Sequence, residues 1–321
     1  MTDIQIAIIE MLQTQAAWLI EPALVFSFLG RSEFYLLVVS ILYWCWDPRL
    51  GLRLGLLMGI SGGLNEALKI AFHLPRPYWV SPEIRAYESQ ASFGLPSGHA
   101  LGAATLWGLL AADARRWWLS AFAFVMIFLI GASRIVSGVH YPTDVIGGWI
   151  IGFLILIGFL TLERPVARRI ASLSTPWQVF VAFAASIVLI LIPFAALLSV
   201  GDWEVPAFWS EGALERSGEP IDPLSLWDTL AVSGFFFGFA AGAAVDRHRW
   251  SLCSAEDGSV RFLGYAFGIM VIGAIWFGLG LLISPDPAPG AYALQYIRAA
   301  VAGAWISFGA PAFFARYGPG A

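Results

Sequence analysis

Charge is scarce in this sequence. Only 12% of its 321 residues are Asp, Glu, Lys or Arg, about half the share of an ordinary soluble domain. Hydrophobic residues make up 59%, and the mean hydropathy is +0.74. Too few polar side chains remain to coat a water-soluble surface. A soluble globular class is therefore excluded. Lipid offers no partners to unpaired backbone groups, so the expected class is a helical integral membrane protein. Lysine is almost missing: Lys69 is the single one, and every other cationic side chain of this kind is arginine. Cysteine is limited to Cys45 and Cys253, far apart and outside metal-ligand spacing. That excludes a disulfide framework and a structural zinc site. Excess positive charge is also missing; a net charge of -4 leaves no case for nucleic acid. The N-terminus lacks the basic start and small-residue cleavage site of a signal peptide. Its Ile4, Ile8, Met11 and Leu12 recur at helical spacing and predict an interfacial helix or an imperfect first span.

Long apolar runs are what the chain has in quantity. Crossing the hydrocarbon core takes roughly 20 mostly apolar residues. The runs predict helices at about 4–27, 32–46, 49–73, 99–114, 116–138, 142–162, 176–200, 224–245, 261–284 and 291–316. The expected fold class is all-α, a polytopic transmembrane helical bundle. Arginine placement orients it, because cytoplasmic loops carry the Lys/Arg excess. Alternating the spans puts Arg49, Arg53, Arg115, Arg116, Arg164, Arg168, Arg169, Arg247, Arg249, Arg261 and Arg316 on one side, the expected cytoplasmic one. The polar loop after residue 73, the start of the helix at 99, the 138–142 join and the acidic 201–223 loop fall on the outer face.

Three stretches share that face: "KIAFHLPRP" (Lys69–Pro77), "PSGH" (Pro96–His99) and "SRIVSGVHYPTD" (Ser133–Asp144). Lys69, Arg76 and Arg134 would repel one another at one membrane boundary unless an anion joined them. A phosphate suits them, lysine as a point charge and arginine as a planar fork. Ser97 is a good helix cap, and the helix it starts would aim free N–H groups at the same anion. Gly98 allows close backbone approach. Pro142 suits the first position of the next helix, which places Asp144 in its first turn. Asp144, four residues after His140, can accept from one imidazole nitrogen and free the other to attack phosphorus. A second imidazole, His99, can protonate the leaving oxygen and then activate water. Taken singly, each pattern has a plain structural meaning: a snorkelling lysine with Glu66 beside it, a stiff Pro-Arg-Pro turn, two capped helix starts. All of them on one face is a different matter. Of the other polar residues, His73 reads as an interfacial group lining the pocket and His248 as part of a solvated loop. Trp117 and Trp118 read as an interfacial anchor. Arg298, inside the last apolar run, reads as paired with Asp228 or touching a substrate headgroup.

Lys-x6-Arg-Pro, Pro-Ser-Gly-His and Ser-Arg-x5-His-x3-Asp together resemble the three signature motifs of the type 2 phosphatidic acid phosphatase (PAP2) superfamily, complete and in order. The resemblance covers roughly residues 25–165. It implies a phosphohistidine at His140, oriented by Asp144, with His99 as general acid and then base. It implies Lys69, Arg76, Ser97, Gly98 and Arg134 as phosphate ligands, and neither a metal nor another cofactor. It divides the chain into a six-helix phosphatase core at 1–170 and a C-terminal transmembrane extension at 171–321. A looser similarity to the sphingoid-base-phosphate phosphatase branch rests on "FLGRSEFY", "YWCWDPRLG" and "GLNEALK"; glucose-6-phosphatases share the long build.

The expected function is that of a lipid phosphatase. It would hydrolyse a lipid phosphomonoester or a polyprenyl pyrophosphate without metal, in a bacterial inner membrane, with the site facing the periplasm or exterior. A site at helix ends suits an amphiphile whose tail stays in the bilayer. Two alternatives use the same cluster: a lipid phosphotransferase, or a transporter of phospholipid or lipid phosphate. The C-terminal spans leave three roles open: covering the core, shaping a lateral gate for lipid, or building a homodimer.

Overall fold

The computed structural model describes residues 2–246, 258–283 and 289–317. Arg247, His248, Arg249 and Cys253, named above, lie outside the described residues. Among the described residues there are helices and no strand. They are α1 (Thr2–Gln15), α2 (Ile20–Phe28), α3 (Ser32–Ile41), α4 (Pro48–Phe72), the short α5 (Pro77–Val80), α6 (Gly98–Ala114), α7 (Trp117–Val136) and α8 (Pro142–Ala171). Then come α9 (Thr175–Val200), α10 (Ala207–Ser217), α11 (Trp227–Val245), α12 (Gly258–Gly280), α13 (Pro289–Ala304) and α14 (Ala310–Tyr317). Among the described residues, six segments can cross a membrane by length and composition: α7, α8, α9, α11, most of α12, and 289–316. The bent pair Ala17–Phe28 and Ser32–Trp46, 49° apart, makes a seventh if it is one span.

Three expected elements differ in detail. The run at 4–27 is not one helix: the chain breaks at Ala16 and restarts through a single 3-10 turn. Pro22 then falls in the first turn of α2, where its missing N–H costs no helical bond. The helix expected to end at 162 continues to Ala171 with Pro165 inside it. The acidic 201–223 loop contains α10, which packs on α5 and donates from Arg216 Nη1 to Tyr78 O at 3.2 Å.

The chain divides into two compact units, each built from separated segments. The first comprises residues 1–34, 64–158 and 192–225. Small residues bring its α6 and α8 together. A Cβ at Gly148 would lie 2.6 Å from Ser97 O, and one at Gly152 would lie 2.7 Å from Leu101 O and 2.8 Å from Ala104 Cβ. This is the small-xxx-small contact by which helices in lipid approach closely. The obstacles are backbone and a Cβ, which cannot swing aside. Gly152→Leu is therefore expected to destabilise the protein by roughly 3 kcal/mol or more, at the upper end of overpacking costs. Thermal unfolding in detergent would read it. A melting temperature within error of the native chain would contradict this packing.

α1 lies across the ends of two helices in the same unit. Gln13 Nε2 donates to Val136 O at the end of α7 and to Arg85 O, at 3.1 and 2.9 Å. Gln5 Oε1 accepts from Thr143 N and Oγ1 at the start of α8, at 3.0 and 2.9 Å. Gly138, between those ends, has φ +75 and leaves no room for a side chain against Arg85 O. An aromatic core of Tyr78, Trp79 and Phe93, with Trp203 and Trp209 packed on it, fills the space under α10.

The second unit comprises 35–63, 159–191 and 226–321. Its α11 and α13 meet along Gly234, Gly238 and Gly242, spaced four apart on one face. Trp44 Nε1 donates to Ile306 O at 2.7 Å, and Arg53 pairs with Glu163 at 2.7 Å. Arg298 lays its guanidinium over Trp276, 4.0 Å from the ring centroid, a contact the sequence did not suggest.

Candidate active site

Four helix ends of the first unit carry the residues singled out from sequence: the C-terminal ends of α4 and α7, and the N-terminal ends of α6 and α8. α4 is followed by His73, whose φ of +39 is left-handed and whose N–H closes on Lys69 O. The chain then turns through Pro75-Arg76-Pro77 into α5. The His73 ring packs on Trp203 and Phe93. Ser97 takes the N-cap position of α6 with extended backbone, but its Oγ makes no cap bond. The Ser97 N–H instead donates to Asp144 O at 3.0 Å, which ties α6 to α8. The N–H groups of Gly98, His99 and Ala100 precede the helical ladder, which begins from Leu101 N to Ser97 O. Gly98 abuts the Asn65 amide; a Cβ there would be 3.1 Å from Nδ2.

Asp144 occupies the third position of α8, and its Oδ2 reaches back to Tyr141 N at 2.9 Å, half of a capping box. The same oxygen lies 3.3 Å from His140 Nδ1. On the other side of the ring, His140 Nε2 is 2.9 Å from Arg76 Nη1. A guanidinium can only donate, so Nε2 is the accepting nitrogen and Nδ1 carries the proton toward Asp144. Burial first, and then the charges of Arg76, Arg134, Lys69 and His99, hold the His140 imidazole well below its ordinary pKa. The ring is neutral at neutral pH, and Nε2 carries its lone pair.

Arg76 departs from expectation. Its donors are all engaged within the protein: Nε to Ser92 O at 2.6 Å, Nη2 to Phe93 O at 2.9 Å and Ser92 Oγ at 3.3 Å, and Nη1 to Val139 O at 2.9 Å and to His140. Two of its N–H groups, those aimed at His140 Nε2 and at Ser92 Oγ, can be redirected without leaving a buried carbonyl unpaired. Lys69 Nζ bonds Glu66 at 3.0 Å, the partner one turn back, and Ser92 Oγ at 2.9 Å. Arg134 is fully buried; its Nη1 meets Ser27 Oγ and Glu88 Oε2.

Several buried polar atoms of this cluster have no partner: Ser97 Oγ, His99 Nε2, and Arg134 Nε and Nη2. Buried polar groups are rarely left so, and each calls for a reason. His99 lies within electrostatic reach of Lys69, Arg76 and Arg134, as His140 does. Unpaired donors among cations form a place for an anion. Among the described residues no group of three or more His, Cys, Asp or Glu has the arrangement of a metal site.

Sequence reasoning missed Ser27, Arg31, Glu88, Ser92 and Gly94. Ser92 joins Lys69 to Arg76, and a Cβ at Gly94 would meet Pro75 O and Asp144 Oδ2 at 3.0 and 3.1 Å. Arg31 and Gly30 lie in "FLGRSEFY", where the pattern served only as a likeness. Gly30 abuts the His99 ring, and Arg31 pairs with Glu88.

Residues 50–168 match the PAP2 superfamily, and residues 230–321 match the transmembrane extension of PAP2 superfamily phosphatases. Phosphatidylglycerophosphatase B of Bacillus subtilis is 30% identical over 167 residues, which are 47% of this chain and 78% of that protein. The chain belongs to the PAP2 superfamily. It is an integral membrane protein of a phosphatase family. An undecaprenyl-diphosphatase of Sulfolobus acidocaldarius is 32% identical over 42% of this chain and 65% of its own length. Human sphingosine-1-phosphate phosphatase 2 is 28% identical, over 40% of this chain and 34% of that protein. A crystal structure of a PAP2 type phosphatidylglycerolphosphate phosphatase from Bacillus subtilis covers 51% of this chain and 95% of its own, at 24% identity and a TM-score of 0.39.

Proposed function

We propose that this PAP2 phosphatase hydrolyses a lipid phosphomonoester or a polyprenyl pyrophosphate in two steps, without metal. His140 Nε2 forms a bond to phosphorus while the bond from phosphorus to the leaving oxygen breaks. His99, protonated once the negative charge of the substrate sits among the cations, gives that oxygen its proton. Water then attacks phosphorus, passes its proton to His99, and releases phosphate from His140. Asp144 holds the His140 tautomer. Lys69, Arg76, Ser97, the Gly98 backbone and Arg134 hold the equatorial oxygens, where charge stabilisation has most effect. The observation that carries this reading is the His140 ring itself, with Nδ1 toward Asp144 and an unprotonated Nε2 among buried cations. The donor set supports the metal-free part: lysine, arginines and a helix N-terminus supply the positive charge that a metal would otherwise bring.

In this reading residues 1–170 are the phosphatase core and 171–321 the extension. The site faces the periplasm or exterior of a bacterial inner membrane. Arg49, Arg53, Arg115, Arg116, Arg164, Arg168 and Arg169 lie at the opposite ends of the helices that bear the site, which supports that orientation.

The test is phosphate release by the purified chain in detergent with excess chelator, from phosphatidate, lysophosphatidate, sphingoid-base phosphate, undecaprenyl pyrophosphate and glucose 6-phosphate. Release from at least one lipid, undiminished by the chelator, is expected. Loss of activity on chelation, restored by a divalent ion, would overturn the metal-free step. Lipid movement with no released phosphate would favour a transporter.

A further inference from the structure

The mechanism above leaves a buried carboxylate beside its phosphate ligands without a task. Glu88 sits in the loop between α5 and α6 with its side chain 7% exposed. Its Oε2 accepts from Arg134 Nη1 and from Ser27 Oγ, and its Oε1 accepts from Arg31 Nη2. An anion in a phosphate site repels substrate, so its presence there needs a reason.

The reason lies in which part of Arg134 it holds. Both Glu88 and Ser27 touch Nη1. The Nε–H and an N–H of Nη2 point the same way on the guanidinium plane, and together they make one bidentate edge for a phosphoryl group. Those two atoms are the buried, unpartnered ones. We propose that Glu88, with Ser27, is a positioning residue: it grips Arg134 by Nη1 and presents the Nε–Nη2 edge to the transferring phosphoryl group. The inference rests on the phosphatase reading for what the edge binds.

Two observations separate this from a carboxylate that merely fills the site until substrate displaces it. Displacement would hand Nη1 to the substrate and leave the Nε–Nη2 edge bare. Glu88 is also neutralised on both oxygens, by Arg134 inside and by the half-exposed Arg31 outside, so it repels a phosphate weakly. Burial pushes the Glu88 carboxyl up, but Arg134, Ser27 and Arg31 outweigh it and keep the group below its usual range. It stays a carboxylate at neutral pH.

The two readings predict opposite signs for Glu88→Gln in the full chain. Positioning predicts orthovanadate binding and KM weakened about 10- to 100-fold, with kcat changed less, as for a displaced contact group. In an Arg134→Gln background the same substitution is expected to add less than about twofold, because the two act through one contact. Ser27→Ala, which keeps both ion pairs, is expected to shift vanadate binding in the same direction by a smaller factor. It also serves if Glu88→Gln fails to fold. Tighter or unchanged vanadate binding in Glu88→Gln would overturn the proposal. So would an equal loss in the Arg134→Gln background, or a fall in melting temperature alone. Vanadate binding needs no turnover. A native chain that binds vanadate through Arg134 but releases no phosphate from any lipid would sink the phosphatase reading and leave this one standing.

Discussion

Replacing His140 with alanine is expected to lower kcat/KM for the best lipid substrate by about 10⁴-fold or more, the scale seen when a covalent nucleophile is removed. Nδ1 and Nε2 of His140 are already divided between Asp144 and Arg76, and His99 reaches the cluster from another helix. A substrate labelled on phosphorus should leave acid-labile label on the native chain after rapid quenching and none on His140→Ala. Label persisting in the variant would move the nucleophile elsewhere. The pH profile gives a second check. Burial and four neighbouring charges hold the His140 imidazole below its ordinary value. A depressed imidazole stays neutral, and so nucleophilic, until the pH falls below that lowered value. The acid limb of kcat/KM should therefore lie under the ordinary imidazole value of about 6.5. An acid limb at or above it would contradict the burial argument.

Arg76→Lys should be almost as damaging, although the charge is kept. Lysine is a point charge on a flexible stem, whereas Arg76 supplies a fixed fork to Ser92 O, Phe93 O and Val139 O, and to His140 Nε2. The substitution leaves buried carbonyls unpaired, at roughly 1–3 kcal/mol each. It also frees the Val139 carbonyl that precedes His140. Activity is expected to fall about 10³-fold, and the melting temperature should drop with it. Lys69→Arg makes the contrast, since Lys69 meets two side-chain oxygens and no backbone carbonyl. An Arg76→Lys protein that keeps a tenth of native activity would mean that charge alone is needed there.

The helices were legible because apolar runs in lipid have few alternatives; the ten expected runs all have counterparts among α1–α14. The three motif segments were legible because each joins a helix terminus to unusual chemistry. What stayed hidden has a common cause. Glu88, Ser27 and Arg31 are single polar residues whose meaning comes from contacts 46 to 107 positions away in the chain. Nothing in "IRAYESQ" distinguishes a buried counter-ion from a loop carboxylate. The role of Arg76 was half legible. Its placement between prolines announced a fixed position, but that its donors would serve backbone carbonyls depends on how the 90–97 and 137–141 turns fold around it. α10 was missed because it is short and polar enough to pass for loop, and the tight approach of Gly212 to Trp79 O is visible only in three dimensions.

The strap made by α1 has a practical side. Gln13 holds the last carbonyl of α7 and Gln5 holds the first free N–H of α8, so the turn that carries His140 is clamped at both feet by the opening fifteen residues. A bulky fusion partner joined directly ahead of Thr2, or a trimmed expression boundary near residue 20, would disturb the His140 turn although neither change comes near it in sequence.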